Sequence, residues 1–134
     1  MNFESVLQSW SPRLLSILRI VVGFLFLQHG TAKLLQAPHI QMFDNLQLGT
    51  LLGASGILEI VGGPLIMIGL FTRPVAFILS GMMAVGYFMM HAPQAPLPIL
   101  NQGELAVVYC FLFLYLAAAG GGPWSVDALR GRAI

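Results

Sequence analysis

Four long apolar runs, at roughly positions 14–36, 51–71, 74–91 and 103–120, constrain this chain more than any other feature. Each comes near the ~20 residues that a helix rising ~1.5 Å per residue needs to cross a hydrocarbon layer ~30 Å thick. Only 8% of the residues are charged and 57% are hydrophobic, whereas a soluble domain carries about a quarter charged residues. The chain therefore reads as an integral membrane protein. Four spans nearly exhaust its 134 residues, so one membrane domain over 1–134 is expected, with no separate soluble domain.

The opening MNFESVLQSW has no basic stretch and no small-residue cleavage site ahead of the first run, so it does not read as a signal peptide and the first span is expected to be retained. Ser11-Pro12 is a helix-start signal, Ser as N-cap and Pro at the first helical position. Before it, Phe3, Val6, Leu7 and Trp10 lie three and four apart, the pattern of a short separate helix at the membrane interface.

With four spans both termini share one side, and Arg13, Arg19, Arg73, Arg130 and Arg132 fall there while Lys33 falls on the other. The positive-inside rule then puts the termini and the tight FTRP turn in the cytoplasm. Short connections make consecutive spans antiparallel, so the expected architecture is an all-α, up-down-up-down four-helix bundle. The external connection at 92–102 holds three prolines and is expected to run extended rather than helical. Gly49, Gly53, Gly56 and Gly63 along the second span, and Gly23 and Gly30 along the first, form small-residue stripes for close packing. Such stripes serve contacts within the chain or between chains, so a homo-oligomer stays open. Pro64 should kink the second helix just past Glu59.

Glu59 stands inside the second apolar run, and ionisable groups in a span are costly, face the bundle interior and usually have a partner. If the first helix enters the membrane at Pro12, Arg19 lies about 10 Å deep, and Glu59 about 13 Å below the opposite surface. These depths make an Arg19–Glu59 ion pair available. Arg19, Gly23, Phe26, Gly30 and Lys33 step by four, three, four and three, marking the face turned to a neighbour. The pair either locks two helices in register or lines an internal pocket in which Glu59 relays a proton or binds a ligand.

A second polar group gathers toward the outer face: Gln28, His29 and Lys33 end the first span, His91 ends the third, and Asn101, Gln102 and Glu104 open the fourth. Glu104 in a first turn suits the helix dipole and Lys33 can snorkel, so ordinary interfacial anchoring competes with a polar pocket mouth. In the second case His29 and His91 join Glu59 as candidate catalytic proton donors or acceptors. Bis-histidine haem ligation by His29 and His91 is disfavoured, because neither is mid-helix and no binding signature accompanies them. Glu59 and Glu104 lack a Glu-x-x-His arrangement, so a di-iron bundle is disfavoured further; no metal and no covalently bound cofactor is expected. Tyr87, Tyr109, Tyr115 and the pairs Met82-Met83 and Met89-Met90 are candidates to pad a flat ligand, or plain core and lipid-facing residues. A net charge of +1 without a basic cluster gives no sign of nucleic acid. Lone Cys110 has no CxxC partner, which argues against dithiol exchange, so redox work would need a bound molecule or a partner protein.

An Arg early in the first span is followed by HGTAK, LEIVGGPLIMIGLFTRP, AVGYFMMH, NQGE and GGGPWSVD. In that order these pieces resemble the DoxX family of small four-helix membrane proteins, over nearly the whole chain. The resemblance implies a multi-pass protein of the bacterial inner membrane. It also implies a link to quinone or catechol stress and to membrane oxidoreductase complexes, the family being named for a subunit of a thiosulfate:quinone oxidoreductase. Positions carried over are Arg19, Gly30, Lys33, Glu59, Gly63, Arg73, Glu104 and Asp127. In GPWSVD, Ser125 is read as the cap of a short helix and Asp127 as help to that helix's N-terminus, with a docking site for a soluble partner as the alternative.

The combined expectation is a quinone-linked subunit with a quinone as the candidate bound molecule, Arg19 and Glu59 as a buried polar floor, and His29, Lys33, His91 and Glu104 as an outer mouth. Electrons would come from a soluble or membrane redox partner. A scaffold or small-molecule transporter with purely structural charges is the alternative.

Overall fold

A computed structural model describes residues 2–131, among which the regular structure is all helix, with no strand. Arg132, assigned above to the arginine-rich side, lies outside the described residues. Three helices are long and apolar enough to cross a membrane: α1 (Phe3–Leu35), α2 (Leu51–Ile68), and α3 (Thr72–Gly86) with its continuation to His91. A four-residue helix, α4 (Pro98–Asn101), leads into α5 (Glu104–Ala119), and α6 (Val126–Leu129) ends the described chain. The expected fourth span is thus α5, an apolar helix of 16 residues, shorter than the other three.

The first helix departs from expectation at its start. Asn2, not Ser11, is its N-cap, accepting from the Ser5 N–H at 2.9 Å, and Pro12 lies inside the helix. The separate interfacial helix is therefore the first part of α1, a 33-residue rod about 50 Å long. Pro12 has no N–H for the Gln8 carbonyl one turn earlier; one turn later Ser16 donates its hydroxyl to the Pro12 carbonyl at 3.4 Å and Trp124 N–H reaches the Ser16 oxygen. The connection at 92–102 is only partly extended, since Pro98 at the first helical position starts α4.

Glycines set the α1–α2 register. A Cβ on Gly23 would lie 2.7 Å from the Met67 backbone, one on Gly30 2.6 Å from Ile60 N, and one on Gly63 2.8 Å from Leu27 N. The two backbones touch, antiparallel, with residue 30 level with 60 and residue 23 level with 63–67. Gly49 lies outside α2 and faces open space, so it is not part of the packing stripe. α3 and α5 also run antiparallel, as Ser80 Oγ donates to the Cys110 carbonyl at 2.8 Å while Arg73 bonds the carbonyls of Ala117 and Ala118. Between the two pairs, Phe26 packs edge-on against Tyr109 (4.9 Å) and Phe113 (4.6 Å) over a core that includes Val22, Ile66, Leu79 and Leu116.

The arginine end is closed by side chains that satisfy helix termini. Ser125 caps α6 as expected, accepting from Ala128 N–H, but Asp127 serves a different helix. Its two carboxylate oxygens accept from the N–H groups of Phe71 (2.9 Å) and Thr72 (2.8 Å), at the N-terminus of α3. Arg73 does the converse at the C-terminus of α5, through the Ala117 and Ala118 carbonyls. Asp127→Ala strips both acceptors and is expected to cost about 1–2 kcal/mol. Thermal unfolding of the detergent-solubilised protein checks this, and an unchanged melting curve would show that the capping bonds contribute nothing.

Candidate functional site

Arg19 and Glu59, paired in the expectation, lie apart. The glycine register puts Arg19 level with about residue 67 and Glu59 level with residues 30–33, so they are separated along the axis by about ten residues, roughly 15 Å. Depth counted along each helix does not give the axial offset between them, which the glycine contacts set here.

Arg19 is fully buried at the arginine end. Its Nε donates to the Gly121 carbonyl (2.7 Å), Nη1 to the carbonyls of Ile66 (2.7 Å) and Met67, and Nη2 to that of Trp124 (2.6 Å). Ile66 and Met67 belong to the last turn of α2, where the helical bonds run out, although the Ile66 carbonyl also accepts from the Gly69 N–H at 3.1 Å. One guanidinium, with five donors in a fixed fork, thus joins α1, the end of α2 and the turn after α5. Its donors are spent on backbone, and Arg19 lines none of the cavities near Glu59.

The partner of Glu59 is Lys33. Lys33 Nζ lies 2.8 Å from Glu59 Oε1, with side chains 8% and 3% exposed. Nζ also donates to Ser55 Oγ at 2.8 Å and sits 5.9 Å from the centre of the Phe43 ring. Ser55 and Glu59 are four apart on α2 and therefore share a face. Gly56 between them lets α1 come close, since a Cβ there would meet the Lys33 Cβ at 3.2 Å. Phe43, from a single 3-10 turn at Gln41–Phe43, folds the loop over the ammonium and gives it a cation–π contact. Ser55 and Phe43 were missed by the sequence reading; Ser55 was findable, as a polar residue one turn before Glu59 in an apolar run.

Glu59 Oε2 is buried and finds no hydrogen-bond partner among the described residues. A buried carboxylate oxygen left unpaired carries its full desolvation cost, so it calls for an explanation. Two cavities meet at this group. One, about 200 Å³, lies among Phe26, His29, Met83, His91, Gln102 and Tyr109 and opens past the exposed His29 and Gln102. The other, about 380 Å³, is a groove between α2 and α3. Lys33, Glu59, Met83, His91 and Ala106 belong to both linings.

His91 sits on a π-turn, Tyr87–His91, that ends α3. Its Nδ1 lies 3.0 Å from the Asn101 carbonyl, and its ring stacks on Tyr87 at 6.2 Å. A carbonyl only accepts, so Nδ1 carries the hydrogen, and in the neutral ring Nε2 is left as an acceptor. His29 lines the inner cavity, close to the Phe26 ring. The structure thus brings His29, Lys33, Glu59 and His91 together and leaves Glu104 out. Ala106 and Tyr109 of α5 turn inward, and Glu104, two residues before Ala106 and so about 200° round the helix, is exposed on a shallow surface pocket with Pro98 and Leu105. Tyr115 is exposed and distant from the site, whereas Met82, Met89 and Met90 line the groove.

No solved structure matches the chain. A protein of Haemophilus influenzae, described only as uncharacterised, is 46% identical over 125 residues, covering 90% of this chain and 93% of its own. The DoxX family model matches residues 14–92, the segment that holds the α1–α2 glycine seam, the Lys33–Glu59 pair and His91. With more than half of the chain matched and its apolar helices long enough to span, this is a membrane protein of the DoxX family.

Proposed function

We propose that this protein is a quinone-linked, redox-associated subunit of the bacterial inner membrane that holds a quinone-like molecule against the Lys33–Glu59 pair. The observation that carries the reading is Glu59, which lines two cavities and whose Oε2 is a buried acceptor without a partner among the described residues. Glu59 Oε2 suits a ring hydroxyl, which would donate to it. Lys33 Nζ has three hydrogens and spends two on Ser55 and Glu59, so the third is available to a ring carbonyl. His91, fixed by Asn101, offers Nε2 as a further acceptor. Apolar walls with a few placed polar groups are what such a ligand needs, and the groove between α2 and α3 supplies most of the apolar lining. A bound quinone would supply two-electron, two-proton chemistry; the chain, with the lone Cys110, would position it and exchange protons while a partner delivers electrons.

In this reading α5 is a fourth span, about 24 Å long, completing an up-down-up-down bundle. Arg13, Arg19, Arg73 and Arg130 mark the cytoplasmic end, with both termini. The alternative, a scaffold with structural charges, is favoured at one place only. Arg19, Arg73 and Asp127 spend their hydrogen bonds on helix ends and turns, so they are assigned to architecture and not to the ligand.

Protein purified into nanodiscs made without added quinone is expected to show a stoichiometric quinone signal in its reduced-minus-oxidised difference spectrum. A blank spectrum from folded protein would count against the reading, and a haem spectrum would replace it with ligation by His29 and His91.

A further inference from the structure

We propose that the groove between α2 and α3 is the subsite for the ligand's apolar tail and the route by which the ligand arrives sideways from the hydrocarbon layer. This rests on the quinone-type head at Lys33–Glu59 and adds to it a tail and a direction. α2 and α3 are joined by a tight turn at Gly69–Phe71 and touch at Gly62 and Leu79, where a Cβ on Gly62 would lie 3.1 Å from the leucine side chain. Toward the Lys33 end the two helices leave the ~380 Å³ groove between them. Its rim is apolar and exposed, with Leu51 and Leu58 on α2 and Ile78, Val85 and Met89 on α3. On helices apolar enough to cross a membrane, that rim faces lipid.

Two glycines point to a path and not to a packing defect. Gly81 and Gly86 line the groove, and a Cβ built on either would meet nothing within 4 Å. This is the reverse of Gly23, Gly30 and Gly63, where backbone lies within 3 Å. Glycine inside a helix is unfavourable relative to alanine, so at positions 81 and 86 helix packing does not account for it. What the missing side chains do is keep the groove clear along α3, from Gly81, six residues before the π-turn that carries His91, to Gly86 directly at its start. At the inner end stands Glu59, 3% exposed, with Oε2 unpartnered.

Glu59 also selects the occupant. Its open lone pair accepts from a neutral hydroxyl, whereas a phosphodiester brings no donor to it, which favours a hydroxylated ring on an apolar tail over a phospholipid. The inner cavity has its own polar opening by the exposed His29 and Gln102, so a head without a tail need not use the groove.

The test compares two probes, a tail-free hydroquinone and the same ring with a decyl tail, on wild type, Gly81→Phe and Gly86→Phe in nanodiscs. The introduced rings occupy the tail's place. The decyl probe is expected to lose affinity by about tenfold or more, a change of roughly 1.4 kcal/mol, while the tail-free probe stays within about twofold. Gly81→Leu replaces any Phe variant that does not fold, and Gly81→Ala, adding one methyl to empty space, is expected to melt no lower than wild type. Undiminished decyl binding overturns the groove assignment, as does an equal loss of both probes, which would put the head and not the tail in the groove. If wild type binds neither probe, the quinone reading itself falls, and the tail subsite with it.

Discussion

Arg19→Met is expected to lower the free energy of unfolding by about 3–5 kcal/mol, the cost of breaking a buried charged network. The substitution keeps an unbranched apolar side chain but removes the donors to Gly121, Ile66, Met67 and Trp124. Each hydrogen bond from a charged group is worth about 1.5–3 kcal/mol, and partial relaxation of the turn after α5 keeps the total below their sum. Arg19→Lys should recover less than half, since one ammonium cannot span carbonyls on α2 and on both sides of the Gly121–Trp124 turn. Thermal and denaturant unfolding in detergent measures both variants. A methionine variant as stable as wild type would mean that Arg19 is not what holds the arginine end together.

The second large effect separates the two partners of the buried pair. Lys33→Met leaves the Glu59 carboxylate buried with no cation and is expected to cost about 3–5 kcal/mol. Glu59→Gln should cost less, because Lys33 keeps Ser55 and the Phe43 ring. The double variant Lys33→Met/Glu59→Leu should return to near wild-type stability, since well-packed apolar residues replace a buried ion pair at little cost. A double-mutant cycle on the melting data gives the coupling. Additive losses would show that the two residues act independently and that the ion pair is not their role. The cycle also yields what a functional test needs, a folded protein without the pair.

How far the sequence carried the fold is clearest at α1. The stepping of Arg19, Gly23, Phe26 and Gly30 marked the face that the structure buries, because helical period alone determines a face. The sorting of arginines from Lys33 was equally legible, as Arg19, Arg73 and Arg130 gather near the α2–α3 turn and the segment after α5 while Lys33 lies at the other end. What periodicity does not give is the axial offset between two helices, and the partner of Glu59 depended on that offset. Matching glycine to glycine would have supplied it: Gly23 meets Gly63, and Gly56 meets Lys33, which sends Arg19 toward Met67 and leaves Lys33 for Glu59. Asp127 was beyond local reading for a different reason. Its acceptors serve Phe71 and Thr72, more than fifty positions away, whereas a cap read from sequence is sought within one turn of its own helix. Glu104 was misplaced because a helix's first residue was assigned a direction before the inward face of α5 was known.

The central claim is that Glu59 Oε2 is a ligand's acceptor and not only half of a structural pair. Calorimetric titration of tail-free hydroquinone into wild type and into the folded Lys33→Met/Glu59→Leu variant, both in nanodiscs, tests it most directly. Saturable binding to wild type and none to the double variant is expected, at the same melting temperature. Undiminished binding to the double variant would contradict it and leave the pair a purely structural lock between α1 and α2.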